Sequence, residues 1–357
     1  MNKKSNMLQK ILQFKLHYYW LPILLSAFLL LFSLLGYLGR YVWFCDLFSH
    51  FKVQYFLTAI ACGVILIFCA LFAMKKQTHN QKNSETEKSN KFTFPLDKKA
   101  LLLFAAFSFA VALINLLEIT PLMFYHPTPE FKFNNSTKIR LMQVNVNTAN
   151  TRYQDVEKYI LGQDPDILLL EEVNSKWLFN LNQIQEKYPY KILYPQDDNF
   201  GIAMFAKIKP SYSKINHFGD YALPFIQAKF KICKDSITIF GIHTIPPIGK
   251  TRWQERNSML QDMGNWVKQQ QGHPTILLGD LNITPYSFFF KKLQQDGNLR
   301  NSQCGFGIQP SWPNQLFPLL IPIDHCLVTK DIEVSNRFIG PNVGSDHFPL
   351  VIDIKVP

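Results

Sequence analysis

Charge is missing from long parts of this chain. Residues 16–39 carry no Asp, Glu, Lys or Arg, and neither do residues 53–74 or 100–117. At about 1.5 Å of helix per residue, each run is long enough to approach or exceed a hydrocarbon core of about 30 Å. A wholly soluble chain is thereby excluded, and three transmembrane helices are expected at about 16–39, 53–74 and 100–122. The first run is too long for a secretory signal core and lacks a small-x-small cleavage pattern, so it reads as a retained anchor. Paired cysteines are missing too. The chain has six cysteines and no CxxC, which excludes a thiolate metal site of the usual spacing. Only Cys233, Cys304 and Cys326 lie beyond the apolar runs, so at most one bridge could form there. Cys233 and Cys326 sit in strand-like apolar runs and read as small buried hydrophobes.

Basic residues are abundant but unevenly placed. Residues 1–137 hold 14 Lys or Arg and 6 Asp or Glu, whereas residues 138–357 hold 23 and 20, so most of the net charge of +11 belongs to the first part. A polyanion-binding face is therefore not implied by charge. The basic side chains follow topology instead. Lys3, Lys4, Lys10 and Lys15 precede the first span, and Lys75, Lys76, Lys82, Lys88, Lys91, Lys98 and Lys99 lie between the second and third. Only Arg40 and Lys52 lie between the first and second. The positive-inside rule then puts the tail and the 75–99 loop in the cytoplasm, and everything after the third span on the extracytoplasmic side of the cytoplasmic membrane. The polar 75–99 loop reads as a solvated linker. Residues 1–125 are expected to form the anchor and residues 138–357 a separate domain.

From about residue 138 short apolar runs alternate with amphipathic segments, the texture of a mixed α/β domain. Strands are expected at Ile139–Val146, Ile167–Leu170, Gly201–Ala206, Phe225–Cys233, Ile237–Ile242, Thr275–Leu278 and Pro349–Ile354. Helices are expected over Arg152–Leu161 and Thr251–Gln270, and a long loop over 296–322. Several strands end in polar residues. The run from Thr275 delivers Asp280 and Asn282, two apart and so able to face one pocket while Leu281 faces the core. Glu171 and Glu172 follow Leu170, and as neighbours one can enter a pocket while the other goes to solvent or a surface pair. His243 ends another strand, and Asn145, Asp324, Asp346 and His347 lie at comparable margins. Carboxylates without cysteines suit a hard cation such as Mg²⁺ or Mn²⁺, and histidines beside acids suit proton transfer and stabilisation of a charged oxygen. Phosphoester hydrolysis uses both. Arg252 and Arg256, one turn apart on a helix, could grip an anionic substrate or simply form a solvated face.

The series Gln143-Val144-Asn145-Val146-Asn147, Leu170-Glu171-Glu172-Val173, Gly241-Ile242-His243, Gly279-Asp280-Leu281-Asn282, Ile323-Asp324-His325 and Gly344-Ser345-Asp346-His347 resembles the endonuclease/exonuclease/phosphatase superfamily, in matching order across residues 138–357. The resemblance implies a four-layer α/β sandwich, two mixed sheets flanked by helices, with the site at one end of the sheets. It implies Glu172 as the principal Mg²⁺ ligand, Asp346 near a second metal position, and Asn145 as an amide close to metal and phosphate. Asp280 would orient or activate water, Asn282 would steady the phosphoryl group, and His347 would contact the phosphate while held by Asp324. His243 matches the histidine of the DNase I-like and neutral sphingomyelinase-like members. An acid found two residues after the first-strand Asn in abasic-site nucleases is replaced here by Asn147. The expected function is a membrane-anchored phosphoesterase acting on nucleic acid, phospholipid or a small phosphate ester, with the bilayer as its other partner and no protein partner readable. The alternative is a catalytically silent, membrane-tethered binding or sensing module of the same fold.

Overall fold

The computed structural model describes residues 19–82, 96–124, 137–232, 235–270 and 272–356. The N-terminal lysines, most of the 75–99 linker and Cys233 lie outside the described residues. Two compact units are present, one formed by residues 1–36 and 51–119 and the other by residues 37–50 and 120–357.

The first unit holds helices long and apolar enough to cross a membrane, within α1 (Trp20–Tyr37), α3 (Lys52–Lys82) and α4 (Lys98–Phe124). The second of these helices continues to Lys82, so the start of the expected linker is helical. Apolar contacts alone give helices little preference for each other over lipid, and small and polar residues mark their seams. Ser26 and Ser108 share a hydrogen bond of 2.8 Å, and Asn115 Nδ2 donates to Ser33 Oγ at 2.9 Å. Leu24, Phe28, Leu103 and Leu113 point outward, as side chains facing acyl chains do.

The second unit begins with a short helix, α2 (Trp43–Leu47), between the first two apolar helices. Its main body contains β1 (Thr137–Asn145), α5 (Tyr153–Gln163), β2 (Ile167–Glu171), α6 (Ser175–Asn180), α7 (Asn182–Lys187), β3 (Tyr190–Tyr194) and β4 (Ile202–Ala206). There follow β5 (Pro210–Phe218), β6 (Leu223–Ile232), β7 (Asp235–Ile242), α8 (Gly249–Gln269), β8 (Thr275–Asp280), α9 (Phe288–Gly297), β9 (Leu299–Asn301), β10 (Asp324–Thr329), β11 (Glu333–Ile339) and β12 (Leu350–Val356). The strands form two mixed six-stranded sheets, ordered β11-β12-β1-β2-β4-β3 and β5-β6-β7-β8-β10-β9. In each sheet one parallel pair, β1 with β2 and β7 with β8, sits among antiparallel neighbours.

Side-chain alternation sorts the apolar residues into layers. Ile139, Leu141, Ile167 and Leu169 from one sheet meet Ile237, Ile239, Ile276, Leu278, Cys326 and Val328 from the other in the central core. Met142, Val144, Leu168 and Leu170 face the opposite way, against Val156, Ile160, Trp177 and Ile184 of α5, α6 and α7. Phe240, Ile242, Leu277 and Leu327 likewise pack on Met259, Met263 and Phe290 of α8 and α9. Both faces of the central strands are buried, which is why they read as continuous apolar runs. The result is the four-layer helix–sheet–sheet–helix sandwich.

The inner-facing row then changes character at one end of the sheets. Ile139 and Leu141 are followed on the same face by Gln143 and Asn145, Ile167 and Leu169 by Glu171, Ile276 and Leu278 by Asp280, and Val328 and Cys326 are preceded by Asp324. The close approach at that end rests on Gly279, whose φ is +146°. A Cβ there would come within 1.9 Å of the Ile242 carbonyl oxygen and 2.4 Å of Glu171 Oε1. Gly279→Ala is expected to destabilise the protein by about 3 kcal/mol or more, because neither the backbone φ nor the Ile242 carbonyl can yield. A thermal-shift measurement in detergent showing an unchanged midpoint would contradict this.

Candidate active site

Asp280 and Asp324 are direct cross-strand partners in the β8–β10 ladder. Two buried carboxylates so placed repel each other unless one is protonated or a cation intervenes. The cation comes from the Gly344–His347 turn. His347 Nδ1 lies 2.9 Å from Asp324 Oδ2, and its Nε2 lies 3.7 Å from Asp280 Oδ2. Burial alone would depress the imidazole, but Asp324 and Asp280 outweigh it and push His347 up to about 10. Burial likewise works to raise Asp324, yet His347 and its hydrogen bonds hold that carboxyl below its ordinary value. Asp280 is raised, by burial first and by Asp324, with His347 opposing. His243 completes this side. Its Nε2 is 3.6 Å from Asp280 Oδ2, and burial together with cationic His347 pushes it down to about 3, so it is a neutral imidazole.

The β1–β2 side adds amides and acids. Asn145 Nδ2 donates to Glu172 Oε1 at 2.9 Å and reaches Asp280 Oδ2 at 3.5 Å. Glu172 stands one residue past the inner-facing position, and regular alternation would send it to the helix layer. A left-handed backbone, φ +59°, turns it back into the site, where burial raises its carboxyl. Glu171 does not reach solvent, contrary to the alternation argument that would put one of the pair there. It is fully buried between the sheets, accepting from Gln143 Nε2 at 2.6 Å and from the Asp280 amide at 2.9 Å. Burial, followed by the charges of Asp280 and Asp324, raises it well above the carboxylate range. Gln143 Nε2 also donates to Asp324 Oδ1 at 2.6 Å, so one amide ties the two sheets together beneath the site. Gln143 and Glu171 match core-facing strand positions, and only the facing sheet shows what they are for.

Asn282 also adopts a left-handed backbone, φ +48°. Its amide N–H donates to Asp280 Oδ1 at 2.8 Å and its Nδ2 to the Thr244 carbonyl at 2.8 Å, while Leu281 is buried as expected. Asp346, expected near a second metal position, stands one residue before His347. Its Oδ1 accepts from Asn147 Nδ2 at 2.7 Å and its Oδ2 from Trp312 Nε1 at 2.9 Å, so both oxygens are engaged in holding neighbouring loops.

The two arginines part company. Arg252 is exposed on the first turn of α8, and no contact joins it to the gathered side chains. Arg256 is fully buried and is not available to an anionic substrate, which corrects both the substrate-binding and the solvated-face readings. Its Nη2 lies 2.6 Å from Asp46 Oδ2, and its Nη1 donates to the Asn282 carbonyl at 2.7 Å. Asp46, on α2, also accepts from Trp253 Nε1 at 3.1 Å and Ser287 Oγ at 2.8 Å. A carboxylate more than two hundred positions upstream thus anchors the arginine that braces the Asn282 turn. A sole acid in an otherwise uncharged stretch, Asp46 is the one hint the sequence offered.

The donor set is carboxylate oxygens with one imidazole. Asp280, Asp324 and His347 offer ligand atoms within 4.8 Å of one another, a group able to hold a metal ion. The His347–Asp324 hydrogen bond already neutralises part of that group, whereas Glu172 and Asp280 share an acidic margin with no cation of the described residues in contact besides His347. The residues present therefore fit a hard divalent cation at this end of the sheets.

This architecture, two mixed sheets face to face with an acid–imidazole cluster at one end, defines a phosphoesterase-type hydrolase fold. The chain belongs to the endonuclease/exonuclease/phosphatase family, whose model matches residues 142–347. Among solved structures it is similar to Danio rerio TDP2 complexed with single strand DNA product, at 15% identity and TM-score 0.52, covering 61% of this chain and 99% of that one. It is similar also to truncated Caenorhabditis elegans TDP2, at 13% identity and TM-score 0.51, covering 61% and 97%. An endonuclease/exonuclease/phosphatase from Bacteroides vulgatus matches at 18% identity and TM-score 0.52, covering 62% and 100%. At these identities the likeness is one of fold. No curated protein matches the chain.

Two outcomes follow from the electrostatics. Asp46→Ala should cost about 3–5 kcal/mol, because it strands a buried guanidinium, and the double change Asp46→Leu with Arg256→Met should recover most of that loss. Equal thermal midpoints for the single and double variants would contradict the pairing. The raised His347 contributes stability that is fully present below its unfolded value of about 6.5 and is lost as pH rises through about 10. The midpoint gap between wild type and His347→Gln should therefore be widest at about pH 6.5 and shrink as pH rises toward about 10.

Proposed function

We propose that the protein is a membrane-anchored, divalent-metal-dependent phosphoesterase, acting on phosphodiesters from the extracytoplasmic side. The observation that carries this reading is the convergence of Asn145, Glu172, His243, Asp280, Asn282 and His347 at one end of the sandwich, with Asp324 behind His347. The lysine distribution supports the side. The single-stranded DNA product named for the Danio rerio structure belongs to that protein, and supports a phosphodiester as the bond class.

A Mg²⁺ or Mn²⁺ ion held by Glu172, with the Asn145 amide beside it, would neutralise phosphoryl oxygens. The chain's own groups perform the rest. His347, a cation fixed by Asp324, donates from Nε2 to a phosphoryl oxygen and stabilises the charge that grows there. Asp280, between His243 and His347, orients the attacking water and accepts its proton as the water oxygen bonds to phosphorus and the ester P–O bond breaks, the leaving oxygen taking a proton from solvent. Its raised affinity for protons suits it to that step. Asn282 has one amide proton committed to Thr244 and offers the other to the phosphoryl group. Asp346 positions the Trp312 loop at the edge of the site.

Purified full-length protein should hydrolyse bis(p-nitrophenyl) phosphate with Mg²⁺ and lose that activity in EDTA. Asp280→Asn and His347→Ala should each lower kcat by about a thousandfold or more, whereas Glu172→Gln should chiefly raise the Mg²⁺ concentration required. Near wild-type turnover by either of the first two variants would remove the assigned roles. No metal-dependent turnover of any phosphoester by the unsubstituted chain would leave a binding module.

A further inference from the structure

The loop between β9 and β10 is the longest stretch of the second unit without charge. From Asn301 to Ile323 there is no Asp, Glu, Lys or Arg. It is nonetheless firmly held. The Gly305 and Gly307 amides both donate to the Leu122 carbonyl, at 2.9 and 2.8 Å, and Leu122 lies in the last turns of α4. Trp312 and Ile321 close a neck by exchanging backbone hydrogen bonds, Ile321 N to Trp312 O at 2.6 Å and Trp312 N to Ile321 O at 3.1 Å. At that neck Trp312 Nε1 and the Asn314 amide both donate to Asp346, one residue before His347. Beyond the neck, Gln315 to Leu319 are exposed, with Phe317 82% accessible and Leu316 and Leu319 about half so.

A tip of Leu, Phe and Leu held out on a hydrogen-bonded base is not there to fill a core, and exposed apolar groups gathered this way mark a contact surface. Its attachment says with what. The base of the loop shares the Leu122 carbonyl, and Leu122 is part of the apolar helix that carries the chain toward this unit. That helix is long and apolar enough to cross a bilayer, so the chain that enters this unit at Leu122 comes directly from an apolar span. Other side chains of the unit repeat the composition of a membrane interface: Tyr41, Phe44 and Phe288 are exposed, and the Arg40 guanidinium lies 4.3 Å over the Tyr41 ring. The tip offers no cation to a nucleic-acid backbone, as a strand-binding groove would.

We propose that Leu316, Phe317 and Leu319 form a lipid-contact surface beside the active site, and that the phosphoester hydrolysed is one presented at the bilayer surface, on a lipid head group. The naming of a substrate rests on the phosphoesterase reading above; the lipid contact does not. Because the neck is tied to Asp346, a tip seated among lipids brings the His347 edge of the site to head-group level.

The test uses the full-length protein reconstituted in phosphatidylethanolamine–phosphatidylglycerol vesicles. With the photo-crosslinker benzoylphenylalanine in place of Phe317, mass spectrometry should find lipid adducts well above those formed by the same replacement at Phe179, an equally exposed ring on α6. Equal adduct levels at the two positions would overturn the lipid contact, and this arm needs no turnover. In the second arm, the double variant Leu316→Ser, Phe317→Ser should lower hydrolysis of a head-group-labelled phospholipid in the vesicles by about tenfold while leaving hydrolysis of bis(p-nitrophenyl) phosphate unchanged. An equal loss on both substrates, or a loss confined to single-stranded DNA, would overturn the proposal. A wild-type chain that hydrolyses no phosphoester at all would count against the phosphoesterase reading, while the crosslinking result would still decide the lipid contact.

Discussion

The architecture of this site depends on one arrangement: two aspartates placed opposite each other on neighbouring strands, with an imidazolium against both. Left alone, Asp280 and Asp324 would either drive the strands apart or take up protons. With His347 between them, one carboxyl is held ionised and the other is left poised to receive a proton. The sheet beneath is adjusted to the same charge. Glu171, the next acid inward, is raised well above the carboxylate range by burial and by the charges of Asp280 and Asp324, and the Gln143 amide bridges it to Asp324. A buried polar layer of this kind is tolerable because its principal donors are paired. It also fixes the register of one sheet against the other, since a slip of one residue on any of these strands would turn a carboxylate out of the site.

The second requirement is backbone that departs from the strand at the right residue. Asn147, Glu172 and Asn282 all take left-handed φ, and Gly279 takes a φ near +146°. Each follows or closes a central strand, and each re-aims a side chain or amide that regular alternation would have sent elsewhere. Such conformations persist where their surroundings over-determine them. For Asn282 the surroundings include Arg256, and through it Asp46, so a short helix between two apolar spans contributes to the shape of a turn in the active site.

That contribution ties a segment between two apolar helices into the second unit. The second compact unit takes in residues 37–50 and the chain from Thr120 onward, so it draws on segments from both sides of the apolar hairpin. Asp46 fastens one of these segments to α8, and the Leu122 carbonyl fastens the other to the base of the uncharged loop. Both fastenings lie close in the chain to the long apolar helices and both reach elements that shape the site.

Periodicity and punctuation were enough to read the apolar spans, most of the central strands and the polar residues at their ends, because burial on both faces leaves an unmistakable run and the change from Ile or Leu to Asn, Asp or His is visible in one dimension. The ordered series of short motifs was enough to name the family. Three things were decided only by the folded chain. The partner of Arg256 lies at Asp46, and no local pattern announces a pairing across such a separation. The direction of Glu172 depends on a single φ that spacing does not encode, which is why alternation alone could not say that both it and Glu171 turn inward. And the engagement of Asp346 with Asn147 and Trp312 required a long loop, featureless as sequence, to close on itself. Composition and period are local properties and the chain carries them openly; charge compensation and the aim of a side chain are properties of what lies across the gap between two sheets, and come into existence only when those sheets meet.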